Sequence, residues 1–250
     1  MIDLTGKSAL VTGGSRGIGA ACCSMLARAG ARVVVNYQLE RAQAELLVQQ
    51  IEEAGGKAFC LAADITRADE AEMLIDETVD RYGSLDIVVN NAGIWRGSPI
   101  EEISDGEWEE MIGVNLTGSF HVLRAAVPHL KQSAGRIINI SSTAGQRGEA
   151  FHSHYAATKG AIISMTKSLA SELATDGVNV NCVAPGWVET DMTRESLAGE
   201  TSAEILAAIP LGRAGLPDEI AGAVLFLASD LASFVTGEIL NVNGGAVLCG

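Results

Sequence analysis

Seven short runs rich in valine and isoleucine alternate with stretches of helical period along this chain, and that alternation constrains the fold more than any other feature. The runs are SALVTG (8–13), ARVVVNY (31–37), KAFCLAAD (57–64), LDIVVNNAG (85–93), GRIINISS (135–142), VNVNCVAPG (178–186) and EILNVNGG (238–245). They are apolar throughout rather than at every second residue, which predicts strands buried on both faces. Between them, 40–54 carries Leu46, Leu47, Ile51 and Ala54 on one side and Glu or Gln elsewhere, a helical pattern. Similar patterns predict helices over 17–29, 104–130 and 155–174. Strand–helix alternation implies an α/β, doubly wound parallel sheet with right-handed crossovers and helices on both faces. Ligands of such sheets sit beyond the carboxyl ends of the strands.

At 250 residues with 48% hydrophobic content, the chain can bury one large core, and no linker or repeat divides it. We therefore expect a single domain over 1–250. MIDLTGKSALVTGG has no basic region leading into an apolar stretch, and nowhere do eighteen apolar residues run on, so neither signal peptide nor membrane span is expected. This predicts a cytoplasmic protein. Cys22, Cys23, Cys60, Cys182 and Cys249 are odd in number and lack metal or redox spacing, which predicts reduced, mostly buried thiols. A net charge of −14 argues against nucleic acid and anionic membranes as partners. An anionic ligand must then be held by local, oriented groups.

TGGSRGIG (12–19) follows the first strand. Gly13, Gly17 and Gly19 permit a tight turn and close backbone approach, and the next helix offers its amides and positive dipole end to a pyrophosphate. The G-x3-G-x-G spacing differs from the common dinucleotide fingerprint. Two further strand ends carry polar groups, Asp64 and the NNAG of 90–93.

Tyr155 and Lys159 stand four apart, on one face of a helix otherwise apolar enough to be buried. A tyrosine ionises near pH 10, so proton transfer at neutral pH asks for a cation at about 4–5 Å. The pair is a candidate acid/base. Ser142 ends the fifth strand, and Asn115 places an unexplained amide inside a helical stretch. His152 and His154 lack a third metal ligand at fitting spacing; we read them as pocket-lining residues and expect no metal site.

TGGSRGIG, NNAG, Asn115, Ser142, Tyr155-x-x-x-Lys159 and PGWVET (185–190) resemble, in order and over essentially the whole chain, the short-chain dehydrogenase/reductase family. The resemblance implies a Rossmann-type sheet of seven parallel strands and hydride transfer between a nicotinamide cofactor and a carbonyl or alcohol. It implies Tyr155 as general acid and Lys159 as the group that lowers its pKa and holds the nicotinamide ribose. Ser142 would bond the substrate oxygen, and Asn115 would keep a water in a proton relay. For the cofactor it implies Gly13, Ser15, Arg16, Gly17, Ile18 and Gly19 at the glycine turn, and Tyr37, Asp64 and Ile65 around the adenosine. Asn91, Ala92 and Gly93 would line the ribose, and Pro185, Gly186, Val188 and Thr190 would dock the carboxamide. Residues 191–210 resemble the family's substrate lid, Trp95 and Trp187 are candidate substrate contacts, and the apolar helix 155–174 implies a homotetramer.

Asn36-Tyr37-Gln38 ends the second strand without the acidic residue of NAD-preferring members, and Arg16 is placed as in NADP-preferring ones, so NADP is expected with NAD possible. Within the family the chain is most similar to the 3-oxoacyl-[acyl-carrier-protein] reductases. The alternatives are a dehydrogenase of free sugars or small alcohols, or a cofactor-binding sensor without turnover. The substrate is a small molecule or acyl thioester. Weak recognition of acyl-carrier protein is expected, because the family's two docking arginines correspond to Ser133 and Ser171.

Overall fold

A computed structural model describes residues 2–248. All seven predicted strands form, in one parallel sheet of order β3-β2-β1-β4-β5-β6-β7. They are β1 (Ser8–Val11), β2 (Arg32–Tyr37), β3 (Lys57–Ala62), β4 (Ile87–Asn90), β5 (Arg136–Ile140), β6 (Asn179–Pro185) and β7 (Ile239–Val242). The helices are α1 (Gly17–Arg28), α2 (Arg41–Glu53), α3 (Ala68–Tyr82), α4 (Asp105–Ile112), α5 (Gly118–Ser133), α6 (Thr143–Arg147), α7 (Ser153–Leu173), α8 (Arg194–Ala198), α9 (Ser202–Ala207) and α10 (Pro217–Ala228).

The unbroken apolar runs are explained by two cores, one on each face of the sheet. Successive residues of a strand point to opposite faces. Val33, Val35, Ile87, Val89 and Ile138 pack with Leu26, Ile51, Val224 and Leu227 on one side. Val34, Val88 and Ile137 pack with Leu74, Ile75, Leu130 and Leu173 on the other. Truncating a fully buried side chain such as Leu130 to alanine is expected to cost about 2–5 kcal/mol.

Strand order reverses between β1 and β4, so the connections leave in opposite directions and open a crevice at their carboxyl ends. The reversal point is fastened by side chains. Thr12 Oγ1 accepts from the amides of Asn91 and Ala92 at 2.9 and 3.0 Å, and Asn91 Nδ2 donates to the carbonyls of Thr12 and Gly13 at 2.9 and 3.1 Å. NNAG thus serves the glycine turn as a brace.

Several expectations need correction. In α2 the buried face is Ala44, Leu47 and Ile51, whereas Leu46 and Ala54 face outward, because adjacent positions cannot share one helix face. The stretch 104–130 is not one helix. α4 and α5 are joined by a wider π-type turn, Gly113–Thr117, that carries Asn115. β7 is an edge strand and only half-buried, not enclosed on both faces. Residues 191–210 hold two short helices, α8 and α9. Cys22, Cys23 and Cys182 are buried free thiols and Cys60 is half-buried; Cys249 lies outside the described residues.

Candidate active site

One continuous cavity of about 340 Å³ runs along the carboxyl ends of the strands. Gly13, Ser15, Arg16, Gly17, Ile18 and Gly19 line its middle, with Tyr37, Asp64 and Ile65 at one end. Asn91, Ala92, Gly93, Pro185, Gly186, Val188 and Thr190 carry it to the other end, where Trp95, Trp187, Ser142, Tyr155 and Lys159 form the wall. Of the residues expected to act in catalysis or to hold cofactor or substrate, Asn115 is the one that does not line the cavity.

The glycine turn is shaped to let a ligand reach backbone. Gly13 and Gly17 have φ of 59° and 53°, a region that other residues seldom adopt. At Gly19 any Cβ would meet the Gly13 carbonyl oxygen at 2.2 Å. α1 begins there with no side-chain cap and no acidic residue in its first turn, so its leading amides remain free for an anion. The turn is held from β2: Asn36 Oδ1 accepts from Gly13 N at 3.2 Å, and Asn36 O accepts from Gly14 N at 2.7 Å. Asn36 was not among the predicted contacts. Its burial at the end of β2 is the signal, because a buried amide needs partners.

At the far end, Tyr155 lies in the first turn of α7, and Lys159 one turn later on the same buried face. Ser142 caps α6, its hydroxyl accepting from Ala144 N at 3.1 Å. α6 packs closely on α7 because Gly145 has no side chain: a Cβ there would meet the Lys159 carbonyl carbon at 2.5 Å. Ser141 Oγ adds a bond to Lys159 O at 2.8 Å. These contacts bring Ser142 to Tyr155.

The electrostatics differ from the expectation that Lys159 lowers the Tyr155 pKa. Burial pushes Tyr155 up to about 12, opposed by a hydrogen bond from Ser142 and reinforced by the Glu149 charge. Burial brings Lys159 down to about 8. Lys159 Nζ lies 5.8 Å from the Tyr155 ring centre and donates to Ile140 O at 2.9 Å. Removal from water outweighs their mutual effect. Lys159 is only 5% exposed, and its one hydrogen bond among the described residues leaves donors for a hydroxylated ligand.

Asn115, 1% exposed, spends its amide on the protein. Its Oδ1 accepts from Ile94 N at 2.8 Å, and its Nδ2 donates to Ile94 O at 2.9 Å and Thr158 Oγ1 at 3.3 Å. A Cβ on Gly93 would lie 3.2 Å from Asn115 Oδ1 and 3.5 Å from Lys159 Nζ, so Asn115 anchors the segment after β4 beside the lysine.

The family model described as enoyl-(acyl carrier protein) reductase matches residues 13–247. The chain belongs to the short-chain dehydrogenase/reductase family. It is 45% identical over 240 residues to a 3-oxoacyl-[acyl-carrier-protein] reductase of Staphylococcus aureus, covering 96% of this chain and 97% of the relative. It is also 45% identical over 250 residues to the 3-oxoacyl-[acyl-carrier-protein] reductase of Synechocystis, covering 99% and 100%. The crystal structure of a dehydrogenase/reductase from Sinorhizobium meliloti superposes with a TM-score of 0.94 at 42% identity, covering 98% and 97%. This short-chain dehydrogenase/reductase is therefore an oxidoreductase built on a Rossmann-type sheet.

Sequence reasoning missed several wall residues. Arg147, the last residue of α6, and Glu149, in the connection to α7 that carries no regular pattern, line the same cavity as Ser142 and Tyr155, and Glu40 lines it as Tyr37 does. His152 and His154 are not pocket-lining as expected. His152 stacks behind Trp95 with ring centres 4.5 Å apart, and His154 is buried, with a depressed pKa from that burial. Among the described residues, no group of three or more His, Cys, Asp or Glu is arranged to hold a metal. No described helix is long and apolar enough to cross a membrane.

Proposed function

We propose that this short-chain dehydrogenase/reductase reduces a ketone to a secondary alcohol with NADPH, and that its substrate is a 3-oxoacyl thioester. The observation that carries the reading is the convergence of Ser142, Tyr155 and Lys159 at one end of a cavity whose middle is an amide-lined glycine turn. The curated relatives named above act, by name, on 3-oxoacyl groups of acyl-carrier protein.

The fit to a nicotinamide dinucleotide rests on the open amides of α1, the polar residues Asp64 and Asn91 along the cavity, and the uncommitted donors of Lys159. The nicotinamide supplies, when bound, a hydride for the carbonyl carbon. Ser142 holds the carbonyl oxygen by a hydrogen bond that strengthens as negative charge develops. Tyr155, kept protonated by burial, donates its hydroxyl proton to that oxygen, giving the alcohol. Lys159 supports the tyrosinate that remains and binds ribose hydroxyls. Asn115 fixes Gly93 against Lys159, and any relay water would lie behind that pair. The preference for NADPH over NADH rests on Arg16, which lines the cavity without an ion pair among the described residues. Residues 191–210 serve as the substrate lid, and the protein is read as a cytoplasmic homotetramer of one-domain subunits.

Initial rates with NADPH and NADH test the reading, against acetoacetyl and crotonyl thioesters and a panel of free ketones and sugars. Reduction of the 3-oxo thioester with NADPH, without reduction of the enoyl thioester, is expected. Turnover of sugars alone, or of the enoyl thioester alone, would overturn it.

A further inference from the structure

We propose that Glu149 is a specificity-determining residue of the substrate end: its carboxylate admits 3-oxo compounds that are uncharged at C1 and turns away those that carry a carboxylate there. The proposal rests on the ketone-reductase reading above and sharpens it, since a 3-oxoacyl thioester is neutral at the position where the free 3-oxo acid is an anion.

Glu149 follows Ser142 by seven residues and precedes Tyr155 by six, and lines the same cavity end as both. Its carboxylate is aimed by its neighbours. Trp95 Nε1 donates to Glu149 Oε2 at 3.3 Å. The indole is fixed in turn by stacking on His152 at an interplanar angle of 3°, and by the edge of Trp187 with ring centres 5.8 Å apart. The backbone is held as well. Phe151 has φ of 63°, a strained value for a bulky residue, with its carbonyl accepting from Ser98 N at 2.7 Å. His152 N also donates to Glu149 O at 3.1 Å.

The charge of Glu149 is poorly compensated. The one basic group within 4 Å among the described residues is His152 Nδ1 at 3.9 Å, which carries charge only when protonated and also contacts Ala150 O at 2.9 Å. Arg147 lines the cavity, but it is exposed and makes no ion pair with Glu149. Lys159, the cation in the same wall, is hydrogen-bonded to the neutral Ile140 carbonyl and makes no ion pair with Glu149, and Asp191, which also lines the cavity, is paired with Arg194. The Glu149 charge is felt at the Tyr155 hydroxyl. A substrate whose 3-carbonyl sits at that hydroxyl brings a C1 carboxylate, one methylene away, into the same field. Two like charges about 6 Å apart at an effective dielectric of about 20 repel enough to lower binding roughly tenfold to a hundredfold.

The test uses the full chain at one fixed pH for all variants. For wild type, Glu149→Gln and Arg147→Ala, kcat/KM is measured for acetoacetate and for ethyl acetoacetate with NADPH. Glutamine keeps an acceptor for Trp95 and removes the charge. Wild type is expected to favour the ester, Glu149→Gln to raise the acetoacetate-to-ester ratio about tenfold or more, and Arg147→Ala to leave or lower it. An unchanged ratio in Glu149→Gln overturns the proposal. Because Trp95 and Trp187 lie in the wall, quenching of tryptophan fluorescence by acetoacetate and by acetoacetamide gives a readout without turnover. Tighter acetoacetate binding by Glu149→Gln, with acetoacetamide unchanged, supports the filter even where the wild type reduces neither ketone, an outcome that sinks the reductase reading alone. Glu149→Ala repeats the titration should the glutamine variant fold poorly.

Discussion

Lys159 Nζ donates to the Ile140 carbonyl at 2.9 Å while lying 5.8 Å from the centre of the Tyr155 ring, so the lysine is tethered to the end of β5 and not to the tyrosine. With Lys159 brought down to about 8 and Tyr155 pushed up to about 12, the lysine is the first of the two to lose its proton as pH rises. Reduction needs both protonated. The kcat/KM for reduction is therefore expected to fall above about pH 8 through Lys159. A profile flat to pH 10 would show that the lysine does not titrate there.

Replacing Tyr155 with phenylalanine removes the proton donor but little of the buried ring. We expect turnover to fall at least about a hundredfold with nucleotide binding nearly intact. Lys159→Ala should lose both, which a parallel titration of nucleotide binding separates from turnover.

Gly145→Ala places a methyl group against the Lys159 carbonyl, where a Cβ lies 2.5 Å from the carbonyl carbon. α6 must move off α7, taking Ser142 away from Tyr155. We expect a loss of about 1–3 kcal/mol in stability from the overpacking. Turnover should drop by more than the unfolded fraction explains, as read by thermal melting beside steady-state rates.

Arg16 is exposed beside the glycine turn, and Glu40 also lines that end of the cavity. An arginine–phosphate bond contributes about 1.5–3 kcal/mol, so NADPH should be favoured over NADH by roughly ten- to a hundredfold. Arg16→Ala is expected to erase most of that preference and Glu40→Gln to increase it. Equal efficiency of the two nucleotides in wild type would remove the assignment.

An acidic carrier protein needs a basic patch near the cavity it serves. Ser133 ends α5 before β5 begins, and Ser171 lies sixteen residues beyond Tyr155 on α7, about 24 Å along the axis. Both are thus at the opposite end of the sheet from the chain's own cavity. Two of the nearby cations are already engaged, Lys131 with Asp176 at 2.9 Å and Arg136 with Asp230 at 3.8 Å. Acetoacetyl on a small thiol carrier should be reduced about as well as acetoacetyl on carrier protein, at low and moderate salt alike. A large advantage for the protein-bound substrate that fades with salt would reveal a docking patch.

The sequence by itself determined the sheet and many, not all, of the residues that line the cavity. Burial on both faces writes itself into continuous apolar runs, and glycines, Tyr155 and Lys159 keep fixed spacings along single elements, where local geometry decides which side chains are neighbours. It did not determine which face of α2 is buried at Leu46, that Asn115 sits in a π-type turn clasping Ile94, or that Glu149 reaches the reacting end from an unpatterned connection. Nor did it give the pKa order of Tyr155 and Lys159. Those outcomes depend on what packs against each group from distant parts of the chain, because desolvation and hydrogen-bond partners are set by three-dimensional neighbours and leave no periodic mark on the sequence.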